Sequence, residues 1–373
     1  MQINNPFLIY GYVSPEYFCD REMETSKLIS ALRNGRNVTL MSPRRMGKSG
    51  LIHNAFSQIA QSNENALCYY VDIYATGSVE DFVKVLGEAV LNQNVKLSDK
   101  AKSLVSSVLT HCRLTFKHDV LFGGQIGLEF KKEEALPTLG DIFSYLGSLE
   151  EECFIAMDEF QQIAEYGDEN IEALLRTYIQ KYPQLHFVFS GSKNHLMSTI
   201  FDSPRRPFFR STEKMPLYVI AEEKYYQFAK AKLTRVMTVL PEEMFHQIYS
   251  RFCGHTWYIQ YLLNKVYEQS PAVVDEDTVR ECLLDIVRTN ADDYLKQFRM
   301  LTKNQQQLLR AIASEGTVTA INASAFISKY NLKGSSSINK ALSFLIDSEI
   351  VYRYDDGYQV YDRFMSLWLN STN

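Results

Sequence analysis

A loop between an apolar segment and an amphipathic segment carries residue types that bind phosphate. Residues 38–41 form a short apolar run, the pattern of a buried parallel strand. The loop after it reads SPRRMGKS over residues 42–49, and apolar residues then recur at helical spacing over residues 51–59. A strand, a glycine-bearing loop and a helix that begins with Lys-Ser form the layout of a phosphate-binding loop.

Three residues of this loop have distinct expected roles. Gly47 would let the backbone approach the phosphates, Lys48 would reach the β- and γ-phosphates, and Ser49 would ligate magnesium. The loop departs from the GxxxxGK[ST] pattern at its first position, where Ser42 replaces glycine. We expect this side chain to strain the loop or to slow nucleotide uptake. A GKS tripeptide also arises by chance, so a plain helix N-terminus with a solvated lysine is the alternative.

A second apolar segment ends in two adjacent carboxylates. Residues 153–157 are apolar, and Asp158 and Glu159 follow directly. Carboxylates at the end of a buried strand are costly unless they bind something, and ligands bind at the carboxyl ends of parallel strands. In nucleoside triphosphatases, the first carboxylate holds the magnesium shell and the second orients the attacking water. An exposed acidic turn is the alternative.

Further strands and helices alternate around these two segments. Strand patterns cover residues 66–73 and 186–190, and helical patterns cover residues 79–91 and 171–182. The alternation predicts a parallel α/β sheet. After the strand at 186–190, Ser190 and Ser192 are both candidates for a polar residue near the γ-phosphate, with a simple turn as the alternative.

The rest of the chain contains an inserted hairpin and two regions rich in helices. We expect a β-hairpin at about 116–130, with its turn at 122–125. From residue 221 helical patterns follow one another, and the last segment reads as three helices and a hairpin with an Asp-Gly turn, which is typical of a winged helix. The predicted domains are an α/β core with the inserted hairpin, a helical domain and a winged-helix domain, at 1–220, 221–295 and 296–373.

Composition excludes several classes of protein. The 373 residues carry a formal charge of −5 and are 46% hydrophobic, which fits a globular protein and excludes a generally basic, DNA-coating one. The N-terminus lacks the features of a secretory signal, and no stretch approaches a membrane span. The six cysteines lie far apart with no CxxC spacing. We therefore expect a cytoplasmic protein with reduced thiols and no membrane contact.

Taken together, these segments resemble the archaeal-type ATPases of the AAA+/STAND group. The loop at 41–49 is similar to the family's GPRRxGK[ST] motif, and IAMDEFQ at 155–161 resembles its Walker B segment, in which DEFQ is typical. Residues 18–24 resemble the hhGRExE motif, with Asp20 in place of glycine, and residues 189–192 resemble the sensor strand that ends in GS. The PRRxGK loop combined with DEFQ is a specific pair of motifs.

The resemblance continues to the C-terminal segment. Residues 208–210 occupy the place of a YGR element, and residues 361–369 resemble the closing segment of the family's winged helix. Residues 253–260 resemble the lid motif GGHPxYxQ, in which Cys253 and Thr256 replace glycine and proline. The loss of proline makes nucleotide sensing by His255 less secure than in the family.

The resemblance implies a P-loop NTPase fold and a set of site residues. The fold is an AAA+-like parallel sheet core with a helical lid domain and a C-terminal winged-helix domain, and the cofactors are ATP and Mg²⁺. Glu159, Lys48 and Arg210 would be catalytic, with Arg210 acting in cis or from a neighbouring subunit as an arginine finger. The metal would be held by Ser49 and Asp158. The nucleotide contacts would be Ser42, Pro43, Arg44, Arg45, Met46, Gly47, Lys48, Ser49, Gly50, Arg21, Ser192 and His255.

For each arginine, an ordinary structural role is the alternative to a nucleotide contact. Arg44 and Arg45 either touch phosphate or a neighbouring subunit, or are solvated on the loop. Arg21 contacts the adenine or ribose side, or forms a helix-surface ion pair with Glu24 or Glu22. Arg210 has a nucleotide role or belongs to a plain basic loop.

Three functions fit this sequence. The first is a slow Mg-ATP hydrolase that acts as a molecular switch on a separate protein partner, with self-association open. The second is an ATP-dependent DNA-binding protein that resembles origin-recognition ATPases, and the third is a non-hydrolysing nucleotide-dependent scaffold. From residue 303 onward, seven basic residues stand against six acidic ones. This balance favours a winged helix that packs against the ATPase core over one that binds DNA.

Overall fold

The computed structural model describes residues 4–94, 109–119, 123–167, 170–354 and 357–372. Two units make up the chain: Tyr10–Lys224 is one, and Met1–Ile9 together with Tyr225–Asn373 is the other. The predicted core domain covers residues 1–220, whereas the structure groups residues 4–9 with the second unit. Among the described helices, none is long and apolar enough to cross a membrane.

The first unit alternates strands and helices along the chain. In chain order its elements are α1 (Glu22–Arg33), β1 (Val38–Met41), α2 (Lys48–Ser62), β2 (Leu67–Asp72), α3 (Val79–Asn94), β3 (Arg113–Asp119), β4 (Gly123–Glu129), α4 (Ala135–Gly147), β5 (Cys153–Asp158), α5 (Asn170–Lys181), β6 (Leu185–Gly191), α6 (Asn194–Asp202) and β7 (Glu213–Pro216). Short 3-10 helices cover Pro15–Tyr17, Lys132–Glu134 and Phe160–Glu165.

Five strands form one sheet in the order β2-β5-β6-β1-β7, and every pair in it is parallel. Apolar clusters cover both faces, which is why the central strands read as continuous apolar runs. The register pairs Met41 with Gly191 and Asp72 with Asp158, so the carboxyl ends of these strands meet at one edge. The predicted parallel α/β core is confirmed.

The inserted hairpin is longer at its start than the sequence indicates. β3 and β4 pair antiparallel from Arg113 opposite Glu129 to Asp119 opposite Gly123. The predicted bounds of 116–130 and the turn at 122–125 were therefore wrong: residues 123–125 belong to β4, and residues 120–122 lie outside the described part. Two adjacent glycines imitate a turn, but a strand also accommodates them at an edge.

Side chains of α3 bind the outer edge of this hairpin. Asn92 Nδ2 donates to the carbonyl of Ile126 at 3.0 Å, and Asn92 Oδ1 accepts from the Ile126 N–H at 2.8 Å. Glu88 Oε1 accepts from the N–H of Leu128 at 3.3 Å. These bonds satisfy backbone groups that an edge strand would otherwise leave open.

The second unit is helical and ends in a small hairpin. Its elements are α7 (Glu222–Thr234), whose first residues belong to the first unit, α8 (Glu242–Arg251), α9 (Thr256–Gln269), α10 (Glu276–Met300), α11 (Lys303–Glu315), α12 (Ser324–Lys329), α13 (Ser335–Asp347), β8 (Val351–Tyr354), β9 (Gly357–Val360) and α14 (Arg363–Ser371). Three helices and the antiparallel β8–β9 pair form the predicted winged helix. The expected limit at residue 295 falls inside α10, a continuous helix of 25 residues.

The N-terminal segment packs with this helical unit. Phe7 is fully buried, and its ring lies 6.2 Å from that of Phe228 and 6.0 Å from that of Tyr267. Asn264 Nδ2 donates to the carbonyl of Phe7 at 2.8 Å, and Trp257 Nε1 donates to the carbonyl of Ile9 at 3.1 Å. These contacts explain why residues 4–9 belong to the second unit, although the residues that follow them in sequence belong to the first.

Candidate active site

The loop between β1 and α2 has the backbone of a phosphate cradle. Gly47, at the start of α2, has φ of 94°, and Arg45 has φ of 64°. A residue with a Cβ is strained at the first of these angles, which accounts for the glycine. Ser42 is buried but has no positive φ, and its Oγ donates to the carbonyl of Pro43 at 3.2 Å. The expected strain from replacing glycine by Ser42 is therefore absent.

Lys48 is enclosed by the loop from which it projects. Its side chain is 5% exposed, and Nζ donates to the carbonyls of Ser42 at 2.9 Å and Pro43 at 3.1 Å. Burial lowers the pKa of Lys48 to about 8, although the nearby carboxylates of Glu159 and Asp158 favour the charged amine. The Lys48 amine could therefore exchange its hydrogen bonds to these carbonyls for hydrogen bonds to a phosphate.

Asp158 accepts hydrogen bonds on both carboxylate oxygens. Ser49 Oγ donates to Oδ2 at 2.7 Å, and the Tyr70 hydroxyl donates to the same oxygen. Oδ1 accepts from the Glu159 N–H at 3.0 Å and from Ser190 Oγ. Burial alone raises the pKa of Asp158, but the three hydroxyl donors outweigh it, so the pKa lies below its ordinary value. Asp158 is therefore an ionised carboxylate beside Ser49.

Glu159 lies next to this pair in a left-handed backbone conformation. Its φ is 56°, and the 3-10 helix Phe160–Glu165 starts directly after it. Glu159 Oε2 accepts from Ser192 Oγ at 2.8 Å and from the side-chain amide of Gln161. Arg44 Nε in turn donates to Ser192 Oγ at 3.4 Å. Of the two serines left open by the sequence, Ser192 contacts Glu159 and Ser190 contacts Asp158.

Arg21 ties the segment before α1 to the loop. Its side chain is 2% exposed, and it donates to Glu24 Oε1 at 2.8 Å, the carbonyl of Tyr218 at 2.6 Å and the carbonyl of Met46 at 3.4 Å. The ion pair with Glu24 predicted as an alternative exists, but the arginine is buried. Through the carbonyl of Met46, Arg21 also contacts the loop.

The other residues of the predicted nucleotide site lie in the same loop and at the start of α2. Met46 is buried, and Arg45 is exposed. A Cβ added to Gly50 would lie 2.9 Å from the Phe18 ring, so that glycine allows the N-terminal segment to pack closely on α2. The Arg44 guanidinium lies 5.4 Å from the centre of the Tyr74 ring, a cation–π distance.

Two residues that stand where the resembled motifs have glycine lie in the left-handed region, which glycine enters freely. Asp20 has φ of 54°, and Cys253 has φ of 50°. Asp20 also accepts from Lys224 Nζ at 2.6 Å. Since aspartate enters the left-handed region more readily than most residues, Asp20 preserves the local turn.

Within the first unit, one predicted site residue does not join this group, and another belongs to the second unit. Arg210 lies shortly before β7, whose Glu213 pairs with Val38, the first residue of β1. Arg210 therefore lies near the amino ends of these strands. The loop follows their carboxyl ends, roughly 10 Å away along the strand direction. His255 belongs to the second unit, where its ring lies 4.7 Å from that of Tyr258.

Tyr70 is the residue that sequence reasoning missed. It was assigned only to a core strand, yet its hydroxyl contacts Asp158. The hydroxyl of a partly buried tyrosine needs a hydrogen-bonding partner, so a tyrosine within an apolar strand was the signal available.

The donor set fits magnesium and phosphate. Ser49 Oγ and the ionised Asp158 are hard oxygen ligands joined at 2.7 Å. The left-handed Gly47 and the amine of Lys48 stand at the N-terminus of α2, where anions bind favourably.

Comparisons with solved structures match this architecture over nearly the whole chain. A Walker-type ATPase of Pyrococcus abyssi superimposes with a TM-score of 0.66 and 17% identity, covering 98% of this chain and 99% of that one. The fold is that of the AAA+ P-loop ATPases. The Aeropyrum pernix ORC1 protein, solved in complex with DNA, gives a TM-score of 0.54 at 13% identity and covers 99% of this chain and 97% of its own. The ADP form of Aeropyrum pernix ORC2 gives 0.56 at 13% identity, with 98% and 97% covered.

The C-terminal part of this AAA+ fold also matches by sequence. Residues 292–371 fit a family described as a probable winged helix domain. By sequence, no curated protein matches the chain. The match begins inside α10, so the winged helix includes the C-terminal part of that helix.

Proposed function

We propose that the chain binds Mg-ATP in the loop at 42–49, hydrolyses it slowly to ADP and phosphate, and acts as a nucleotide-dependent switch. One observation carries the proposal. Ser49 and Asp158, which are 109 residues apart in sequence, are hydrogen-bonded at the sheet edge beside Lys48 and Glu159. The fold, shared with ATPases, supports the same proposal.

Each group of the site has a task in this reaction. Lys48 would exchange the carbonyls of Ser42 and Pro43 for phosphate oxygens and so neutralise their charge. Ser49 and Asp158 would hold Mg²⁺, which when bound neutralises charge on the β- and γ-phosphates. Glu159 would accept a hydrogen bond from the attacking water and orient it, and Ser192 would position Glu159.

The hydrogen bonds that Lys48 and Glu159 make within the fold support slow turnover. Lys48 is bonded to the loop carbonyls, and the Glu159 carboxylate is bonded to Ser192 and Gln161. Each group has to exchange these partners before it can act on a nucleotide. Arg210, at the opposite edge of the sheet, would stabilise transition-state charge only from a neighbouring copy, so fast turnover would require self-association.

The partner that reads the switch is proposed to be a separate protein. Several basic residues of the winged helix already have partners in the fold, which argues against DNA as the partner. Lys329 pairs with Glu315 at 2.7 Å, Arg310 donates to the carbonyl of Leu369 at 3.4 Å, and Arg363 donates to the Tyr352 hydroxyl at 2.8 Å. DNA binding needs several such charges on one face. Because the fold is shared with an ORC1 protein solved in complex with DNA, duplex DNA is the alternative partner that an experiment has to test.

Replacing Lys48 by alanine tests the nucleotide site. We expect Lys48→Ala to weaken binding of a fluorescent ATP analogue by about 100-fold, because it removes a charge-assisted contact to phosphate. Lys84→Ala, at an exposed position of α3, should bind like the wild type. Unchanged affinity in Lys48→Ala would contradict the proposed site.

A further inference from the structure

Tyr70 reaches the candidate metal ligand from a strand to which the proposed reaction gives no task. Its hydroxyl donates to Asp158 Oδ2, the oxygen that also accepts from Ser49 Oγ at 2.7 Å. β2 lies beside β5 in the sheet, with Tyr70 opposite Ala156, which brings the hydroxyl alongside the carboxylate. Both donors to this oxygen are therefore hydroxyls, one from the loop helix and one from the sheet.

A stack of rings fixes the position of Tyr70. The centre of the His53 ring lies 4.3 Å from that of the Tyr70 ring. On its other side, the His53 ring stacks on the Tyr12 ring, with 5.9 Å between their centres and 17° between their planes. The Tyr12 hydroxyl donates to Asn54 Oδ1 at 3.1 Å, which anchors the outer end of the stack on α2. His53 follows Ser49 by one helical turn, so ring and hydroxyl project from the same face of α2.

We infer that Tyr70 is a positioning residue for the divalent cation: its hydroxyl holds Asp158 in the orientation that faces Ser49, and the Tyr12–His53 stack holds Tyr70. This inference rests on the proposed function. The Tyr70 hydroxyl would keep its bond to Oδ2 when Ser49 turns from that oxygen towards the metal. Without the hydroxyl, the carboxylate would lose a fixed donor and rotate more freely. Partners behind a metal ligand tune metal affinity in this way.

The test is the Mg²⁺ dependence of nucleotide binding in Tyr70→Phe. A fluorescent ATP analogue is titrated in EDTA and at increasing Mg²⁺. We expect the Mg²⁺ concentration at half-maximal effect to rise by about 10-fold or more, with affinity in EDTA unchanged. Tyr69→Phe is the matched control, because the adjacent side chain points to the opposite face of the same strand, into the other core cluster.

Variants of His53 separate positioning from folding. His53→Ala removes the stacked ring and should raise the half-maximal Mg²⁺ concentration in the same direction as Tyr70→Phe. His53→Phe keeps a ring in the stack and should restore the wild-type value. Thermal unfolding of each variant shows whether the fold is intact.

Distinct outcomes would overturn distinct claims. A wild-type Mg²⁺ dependence in Tyr70→Phe would overturn the positioning role and leave the nucleotide site standing. Equal weakening of binding in EDTA and in Mg²⁺ would also overturn it, because the hydroxyl would then serve the fold alone. A wild-type protein that binds no nucleotide under any condition would instead refute the proposed function, and the positioning role with it.

Discussion

The amine of Lys48 lies among carbonyl groups that it is expected to leave when a nucleotide arrives. Burial lowers its pKa to about 8, while the carboxylates of Glu159 and Asp158 act in the opposite direction. Near neutral pH the amine is therefore mostly charged, and above pH 8 it is mostly neutral. Bound phosphates favour the charged form and would raise this pKa.

Proton uptake on nucleotide binding should follow from this difference. With a free-site pKa of about 8, ATP binding should draw roughly three quarters of a proton onto Lys48 at pH 8.5 and roughly a tenth at pH 7. Calorimetry in buffers of different ionisation enthalpy measures this uptake. Lys48→Arg is the control, since arginine stays charged in both states. Equal proton uptake by wild type and Lys48→Arg at pH 8.5 would contradict the prediction.

Part of the site is readable from the sequence because its residues lie within contiguous motifs. The loop with Gly47, Lys48 and Ser49 and the pair at 158–159 are of this kind. The choice between Ser190 and Ser192, by contrast, depends on the register between β5 and β6, which sequence spacing does not determine. Tyr70 contacts Asp158 from 88 residues away, so only the folded sheet reveals it.

At the scale of elements, Gly191 allows β6 to end against the turn that carries Glu159. A Cβ added there would lie 2.4 Å from Gln161 Oε1 and 2.5 Å from Met197 Sδ, closer than real contacts allow. Gln161 is the residue whose amide donates to Glu159. The close packing of the Gln161 side chain on Gly191 thus helps to position the carboxylate of Glu159.

Replacing this glycine should disturb catalysis and stability together. We expect Gly191→Ala to lower the free energy of unfolding by about 1–3 kcal/mol through overpacking. Displacement of Gln161 should lower ATP turnover by about 10- to 100-fold. Denaturant unfolding and phosphate release measure the two effects. Gly334→Ala, where a Cβ meets nothing within 4 Å, is the control. Wild-type turnover in Gly191→Ala would show that the contact does not position Glu159.

The central strands of the sheet could be predicted from the sequence, whereas the edge strand β7 and the bounds of the inserted hairpin could not. β1, β5 and β6 are covered on both faces, so their burial shows as apolar runs. β7 was missed because it is an edge strand of the sequence EKMP with three exposed residues. The hairpin bounds failed because its glycines lie within β4 rather than in the turn.

At the scale of the whole chain, the two units are joined twice, at residues 9–10 and 224–225. Residues 5–9 bond to α9 within the second unit through Asn264 and Trp257. Shortly after the first junction, within the first unit, Tyr12 stacks on His53 of α2. Sequence alone could not assign this N-terminal segment, because its partners are more than 200 residues away.

The measurement that tests the account most directly is phosphate release from Mg-ATP by the wild type and Glu159→Gln. We expect the wild type to release phosphate and Glu159→Gln to lose at least about 100-fold in rate while still binding ATP, because it lacks the carboxylate that orients water. Glu165→Gln, at the end of the 3-10 helix that follows Glu159, should turn over like the wild type. Stimulation by duplex DNA would identify a partner other than protein. No release by the wild type, or equal release by Glu159→Gln, would contradict the proposed ATPase.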